Sequence, residues 1–194
     1  VTTFAGSGTP GFANGIGTSA QFNKPHEVAV DGSGNVYVAD TENHRIRKIT
    51  PGGVVTTLAG SGSSGSDNGT GTAASFRQPH GIAVDGNGNV YVADTENHRI
   101  RKITPVGVVT TLAGSGSSGS DNGTGTGATF TGPHGIAVDG NGNVYVADKD
   151  NHKIRKITSS GVVTTLAGSG SAGNVDGTGT TASFNNPRSV AVDG

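Results

Sequence analysis

Short apolar runs that alternate with polar residues recur along this chain at regular intervals. Val-Ala-Val-Asp at 28–31 is apolar and ends at Gly32. Asn-Val-Tyr-Val-Ala-Asp at 35–40 alternates and is rich in β-branched and aromatic types, the pattern of a half-buried strand. His-Arg-Ile-Arg-Lys-Ile-Thr at 44–50 interleaves charges with isoleucines, and Val-Val-Thr-Thr-Leu-Ala-Gly at 54–60 forms a fourth run. Links of two to four residues separate them (Gly32-Ser33-Gly34, Thr41-Glu42-Asn43, Pro51-Gly52-Gly53), which predicts antiparallel neighbours and a four-stranded meander. The first strand is the most apolar, and the fourth, with its Thr-Thr pair, is expected at the sheet's outer edge. A Gly/Ser/Thr-rich link over residues 60–80 follows, and no helical period runs beyond two turns.

The whole pattern repeats. Val-Thr-Thr-(Phe/Leu)-Ala-Gly-Ser-Gly begins at Val1, Val55, Val109 and Val163, an offset of 54 residues. Phe22, Phe76, Phe130 and Phe184 keep that offset, as do Pro25, Pro79, Pro133 and Pro187. Copies 55–108 and 109–162 differ at nine of 54 positions. The 194 residues therefore read as one repeat array rather than separate domains: repeats 1–54, 55–108 and 109–162, and a partial fourth copy at 163–194. A meander recurring at this period predicts an all-β fold, a β-propeller of four-stranded antiparallel blades, in preference to a parallel solenoid with shorter coils. The phenylalanines are expected to fill the space between blades. Counted from Val1, the chain offers an outer strand, three complete meanders and an innermost strand at 188–193. It starts without Met and stops inside a copy, as a processed chain or a piece of a longer array would.

Composition adds exclusions. With 35 Gly and 7 Pro, roughly 22% of the chain, the sequence lies just below the roughly 25–30% that marks low complexity, and periodicity removes that reading. The chain has no Cys, so no disulfide, thiolate nucleophile or zinc–sulfur site. A net charge of −1 gives no electrostatic basis for binding nucleic acid or an anionic membrane, and no apolar run reaches the ~18 residues of a membrane helix.

The stretch Pro79-His80-Gly81-Ile82-Ala83-Val84-Asp85, then Gly88-Asn89-Val90-Tyr91-Val92-Ala93-Asp94, then Asn97-His98-Arg99-Ile100 resembles the NHL repeat. The namesake triplet appears as Asn43-His44-Arg45, Asn97-His98-Arg99 and Asn151-His152-Lys153, departing at its third letter. The resemblance implies a propeller, most often six-bladed, whose usual role is binding. Some relatives bind RNA or protein, some are kinase sensor domains, and a lyase branch uses zinc and calcium. An extracellular or periplasmic location is favoured by the resemblance alone.

Three constellations carry candidate chemistry. Asp40 with Asn43 and His44, Asp94 with Asn97 and His98, and Asp148 with Asn151 and His152 read as a structural turn motif, in which His hydrogen-bonds to Asp across the turn and Asn caps backbone groups. His26, His80 and His134 precede the innermost strands, with Arg188 in the fourth copy, and form the candidate ligand site at the channel mouth. Blade spacing is expected to keep three imidazoles from a common metal at the roughly 2.0–2.1 Å that zinc requires, so neither metal nor cofactor is assigned. The cations Arg45/Arg47/Lys48 and their counterparts read as a solvated strand with local salt bridges. Asp67-Asn68-Gly69-Thr70 and its copy are turns, and the Gly-rich links lack a phosphate-loop ending.

These readings combine into a non-enzymatic scaffold that binds a protein, peptide or glycan across segments 22–27, 76–81, 130–135 and 184–189. Three blades leave two apolar faces open, so self-association is expected to complete a ring or an assembly. The alternatives are a lyase- or lactonase-like enzyme with a channel metal, and a structural extracellular protein that assembles through its open blade edges.

Overall fold

A computed structural model describes residues 1–193. Its strands form three sheets that repeat at the 54-residue offset. The first contains β1 (Gly15–Ile16), β2 (Pro25–Val30), β3 (Val36–Asp40), β4 (Arg45–Ile49) and β5 (Val54–Ala59), in the order β1-β5-β4-β3-β2. The second uses β6 (Gly69–Thr70), β7 (Pro79–Val84), β8 (Val90–Asp94), β9 (Arg99–Ile103) and β10 (Val108–Ala113) in the same order. The third uses β11 (Gly123–Thr124), β12 (Pro133–Val138), β13 (Val144–Asp148), β14 (Lys153–Ile157) and β15 (Val162–Ala167). Every pairing within the sheets is antiparallel, so each blade is the expected meander.

The fourth strand is not the edge. Gly15 and Ile16, from the long link, pair with Val55 and Val54 and cover the outward backbone groups of β5. This added two-residue strand shortens the exposed edge of each blade. The expected terminal strands are also absent: residues 1–5 and 188–193 adopt no strand. In the complete blades, the positions equivalent to 1–5 pair with a preceding strand and those equivalent to 188–193 with a following one, and this sequence supplies neither.

Turn chemistry explains the register. Asp31 Oδ1 accepts the N–H groups of Ser33 and Asn35 at 2.9 Å each, and Oδ2 accepts Asn35 Nδ2 at 2.9 Å and the Tyr37 hydroxyl at 3.0 Å. Asp85 and Asp139 repeat the arrangement. The carboxylate thus builds the hairpin between β2 and β3, with Gly34 at φ 79°. These donors hold Asp31 at about 2, overcoming the opposing effect of burial, and burial together with the nearby carboxylate raises Tyr37 to about 12.

The core lies between blades. Phe76 is fully buried, among Tyr37, Ala39 and Ile46 of the first blade and Ile82, Val90 and Val92 of the second. Phe130 has the same role at the next interface. Such burial contributes about 1.5–3 kcal/mol per side chain. Beyond the first blade the corresponding surface is uncovered: Val28 is 57% exposed, whereas its counterparts Ile82 and Ile136 are 2% and 3% exposed.

Candidate functional site

Two sets of polar residues repeat around the blades, and the structure treats them differently. In the first, Arg47 Nη1 donates to Asp40 Oδ2 at 2.8 Å, and both side chains are wholly buried. Nη1 also donates to the Gln21 carbonyl, while Nη2 donates to the Ala13 carbonyl at 2.9 Å and the Asn14 amide oxygen at 2.8 Å. Asp40 accepts the Asn23 N–H through Oδ1 and Asn43 Nδ2 through Oδ2. Asn43 Nδ2 also donates to the Gly11 carbonyl, as Asn97 and Asn151 do to the Gly65 and Gly119 carbonyls, so these side chains tie the turn to the long link 32 residues earlier rather than capping the turn's own backbone groups. The pairs Arg101–Asp94 and Arg155–Asp148 repeat the 2.8 Å contact. Burial raises the Asp94 and Asp148 carboxyls, opposed by the hydrogen-bond donors aimed at them.

Arg47, Arg101 and Arg155 were expected in solvent, and the structure corrects this. Strand register places each beside the carbonyls of its own blade's long link, and each guanidinium lies about 5 Å from the ring of Phe22, Phe76 or Phe130. A usable signal was present: these arginines, with Asn14, Asn68 and Asn122, are unchanged in all three copies, whereas Arg45 and Arg99 become Lys153.

The histidine of the turn motif also departs from expectation. His44, His98 and His152 adopt left-handed backbone conformations, with φ of 52–54°. This carries each ring away from the preceding Asp and toward the next blade. Nδ1 of His44 accepts the Gln78 N–H at 3.2 Å, that of His98 the Gly132 N–H at 3.2 Å, and that of His152 the Asn186 N–H at 3.0 Å. Each histidine is therefore a strut to the following repeat. The turn also explains an unchanged glycine: a Cβ at Gly60 would lie 2.6 Å from the His44 carbonyl oxygen.

The second set lies at the start of the innermost strands, the end expected to form the channel mouth. His26, His80 and His134 occupy the second positions of β2, β7 and β12, and their ring centroids are 4.5, 4.6 and 4.7 Å apart. Blade spacing does not hold these rings apart, so spacing is not what keeps them from a common metal. Innermost strands of consecutive blades approach so closely that a Cβ at Gly81 would overlap the His134 carbonyl, and one at Gly135 would lie 2.5 Å from the Arg188 carbonyl. His134 Nδ1 lies 3.1 Å from the Arg188 carbonyl, while His80 Nδ1 is buried without a partner. Glu27 occupies the position that is glycine in the next two copies, and its Oε2 accepts the Ile82 N–H at 3.3 Å. A hollow of about 260 Å³ is lined by His26, Glu27, His134, Arg188 and Ser189.

Burial lowers the basicity of all three imidazoles. His80 is brought to about 4 by desolvation, reinforced by the other two histidines, Lys149 and Arg188. His26 and His134 shift the same way, chiefly through burial. The rings pack against one another rather than turning their nitrogens to one point, and among the described residues no three His, Asp or Glu side chains form a metal-holding group. The donor set therefore does not fit the zinc or calcium of the lyase branch.

The NHL repeat model matches residues 22–49, 76–103 and 130–157, each spanning the inner three strands of one blade. The chain is 36% identical over 131 residues to Protein SUPPRESSOR OF QUENCHING 1, chloroplastic, of Arabidopsis thaliana, which covers 62% of this chain and 12% of that protein. It is 43% identical over 99 residues to NHL repeat-containing protein 2 of Gallus gallus, covering 50% of this chain and 14% of that one. The chain thus spans only about an eighth of these relatives' lengths. A crystal structure of a Bacteroides thetaiotaomicron protein of unknown function superposes with a TM-score of 0.70 at 28% identity, over 86% of this chain and 42% of that one. Three matched repeats, one per blade, and a shared blade architecture lead to one conclusion: this chain belongs to the NHL-repeat β-propeller family.

Proposed function

We propose that this chain is a non-enzymatic binding scaffold whose channel mouth presents His26, His80, His134 and Arg188 to a protein, peptide or glycan partner. The observation that carries this reading is the division of the polar groups. In every blade the buried Asp carboxylate is paired with an arginine whose two terminal nitrogens are hydrogen-bonded, leaving only its Nε without a partner, whereas the mouth sets an unpartnered imidazole nitrogen among like rings and differs among copies. A channel enzyme requires unlike groups converging on one reacting atom, and three clustered imidazoles are alike. Binding to peptide and glycan arrays tests the reading. The paired variant His26→Ala/Arg188→Ala should lose signal while its melting temperature holds, and an unchanged pattern would refute the assignment.

A second reading is favoured by the uncovered apolar surface: blades also associate between copies. Val28 and Val30, 57% and 59% exposed, lie on the first blade's free face, and Leu166, 47% exposed, lies at the other end. These faces carry the same positions that meet at the internal interfaces, so the two are complementary in kind. Light scattering tests this. A mass above 19 kDa that falls on Val28→Lys supports association, and a monodisperse monomer rejects it.

A further inference from the structure

The mouth brings like groups together without the counter-charge that usually accompanies them. Three imidazoles are in ring contact, on three consecutive inner strands. Arg188 acts on all three rings, and Lys149, from the turn after β13, acts on His80 and His134. Among the described residues no carboxylate hydrogen-bonds to any of these rings; His134 meets a backbone carbonyl and His80 Nδ1 meets nothing. Glu27, which lines the same hollow, is engaged by the Ile82 N–H, and burial raises its carboxyl toward the neutral form. The adjoining hollow opens beside Arg188.

We propose that the channel mouth is an oxyanion site, in which a phosphate, sulfate or carboxylate group is held by Arg188 and by the imidazoles of His26, His80 and His134, which take up protons as it binds. This rests on the binding reading above and names the chemical group recognised at that same site. Arg188 supplies a planar, permanently charged donor suited to such oxygens. The clustered imidazoles resist protonation alone first because they are buried, and then because of their mutual repulsion and the charges of Arg188 and Lys149. A bound anion offsets that penalty, so binding and protonation support each other, and affinity rises as pH falls, by up to about tenfold per pH unit for each proton taken up. Glu27 opposes the anion and limits affinity at neutral pH.

Sulfate is the suitable first probe because its charge is constant between pH 5 and 8. Titration should be followed by calorimetry and by the imidazole C–H resonances, with glucuronate as the carboxylate probe and glucose as the neutral control. The expected result is sulfate or glucuronate binding at least about tenfold tighter at pH 5.5 than at pH 7.5, with glucose inert. Tighter sulfate points to a phosphate- or sulfate-bearing partner, and tighter glucuronate to a carboxylate-bearing one. Arg188→Gln should weaken binding about tenfold, and Glu27→Gln should tighten it several-fold. Circular dichroism of both variants guards against loss of folding, and their opposite signs cannot both arise from a damaged fold. Weaker anion binding in Glu27→Gln, pH-independent binding, or no binding at pH 5.5 would overturn the proposal. If the anions fail while an array ligand still depends on His26 and Arg188, the oxyanion assignment falls and the binding reading survives; if neither binds, both fall.

Discussion

The buried Asp–Arg–Asn cluster and the histidine mouth are both polar, both repeated at a 54-residue offset, and both contributed once per blade. They differ in how charge is paired. Asp94 receives the Arg77 N–H, Asn97 Nδ2 and Arg101 Nη1, and Arg101 reaches two backbone carbonyls and the Asn68 amide oxygen. Each buried arginine leaves its Nε without a partner, as the mouth leaves His80 Nδ1, but the mouth sets like groups against like instead of pairing opposite charges. A buried charge paired with its opposite holds a blade to its link; a cluster without that pairing is free to respond to what arrives from solvent. Repetition alone therefore does not separate scaffold from site.

The largest effect should come from breaking the matched cluster. Arg101→Ala leaves Asp94 buried and uncompensated and should cost about 3–5 kcal/mol in chemical denaturation. A loss under about 1 kcal/mol would mean that the cluster does not hold the blade. Truncating Ile82, on the covered face, should cost about 2–5 kcal/mol, while Val28→Ala on the open face should change stability by less than about 0.5 kcal/mol. Equal effects at the two sites would show that the first blade's face is also covered in solution.

The mouth should respond to pH in a defined direction. His80 has a folded value of about 4, below the ordinary imidazole value of 6.5, so the fold favours its neutral form. Its contribution is complete above 6.5 and is lost as pH falls toward 4. In a buffer without oxyanions the melting temperature should drop across that window, and His80→Gln should flatten the drop. A variant with the wild-type profile would place the acid sensitivity elsewhere. His98→Ala, which removes one acceptor to the Gly132 N–H, should cost about 0.5–1.5 kcal/mol. A small effect is also expected at the exposed Lys24–Glu42 pair, 3.7 Å apart, where Lys24→Ala should change stability by less than about 1 kcal/mol and less still in high salt.

Much of the blade was legible. Runs such as Asn-Val-Tyr-Val-Ala-Asp were readable as strands from their β-branched and aromatic residues, although the strands they form are buried on both faces, and the Phe76 plug was readable because a polar link requires one apolar anchor. The edge strand at Gly15–Ile16 was not legible: two residues carry no periodicity, and their pairing depends on where β5 lies. At the candidate site, the four mouth residues could be named from their positions ahead of the inner strands. Their ring contact could not, because the close approach of neighbouring inner strands is a property of packed blades. The strut role of His44 was hidden for a related reason, since its acceptor nitrogen meets a residue 34 positions away.

By itself, then, the sequence determined the repeat, the meander and the turns, all of which arise from interactions within a few residues. Tertiary structure alone decided which charges are buried and which histidines meet. Arg47 and Arg45 are two residues apart and nearly alike as sequence. Arg47 is buried because carbonyls 26 and 34 residues before it return to its guanidinium, and that convergence exists only once the link has folded across the blade.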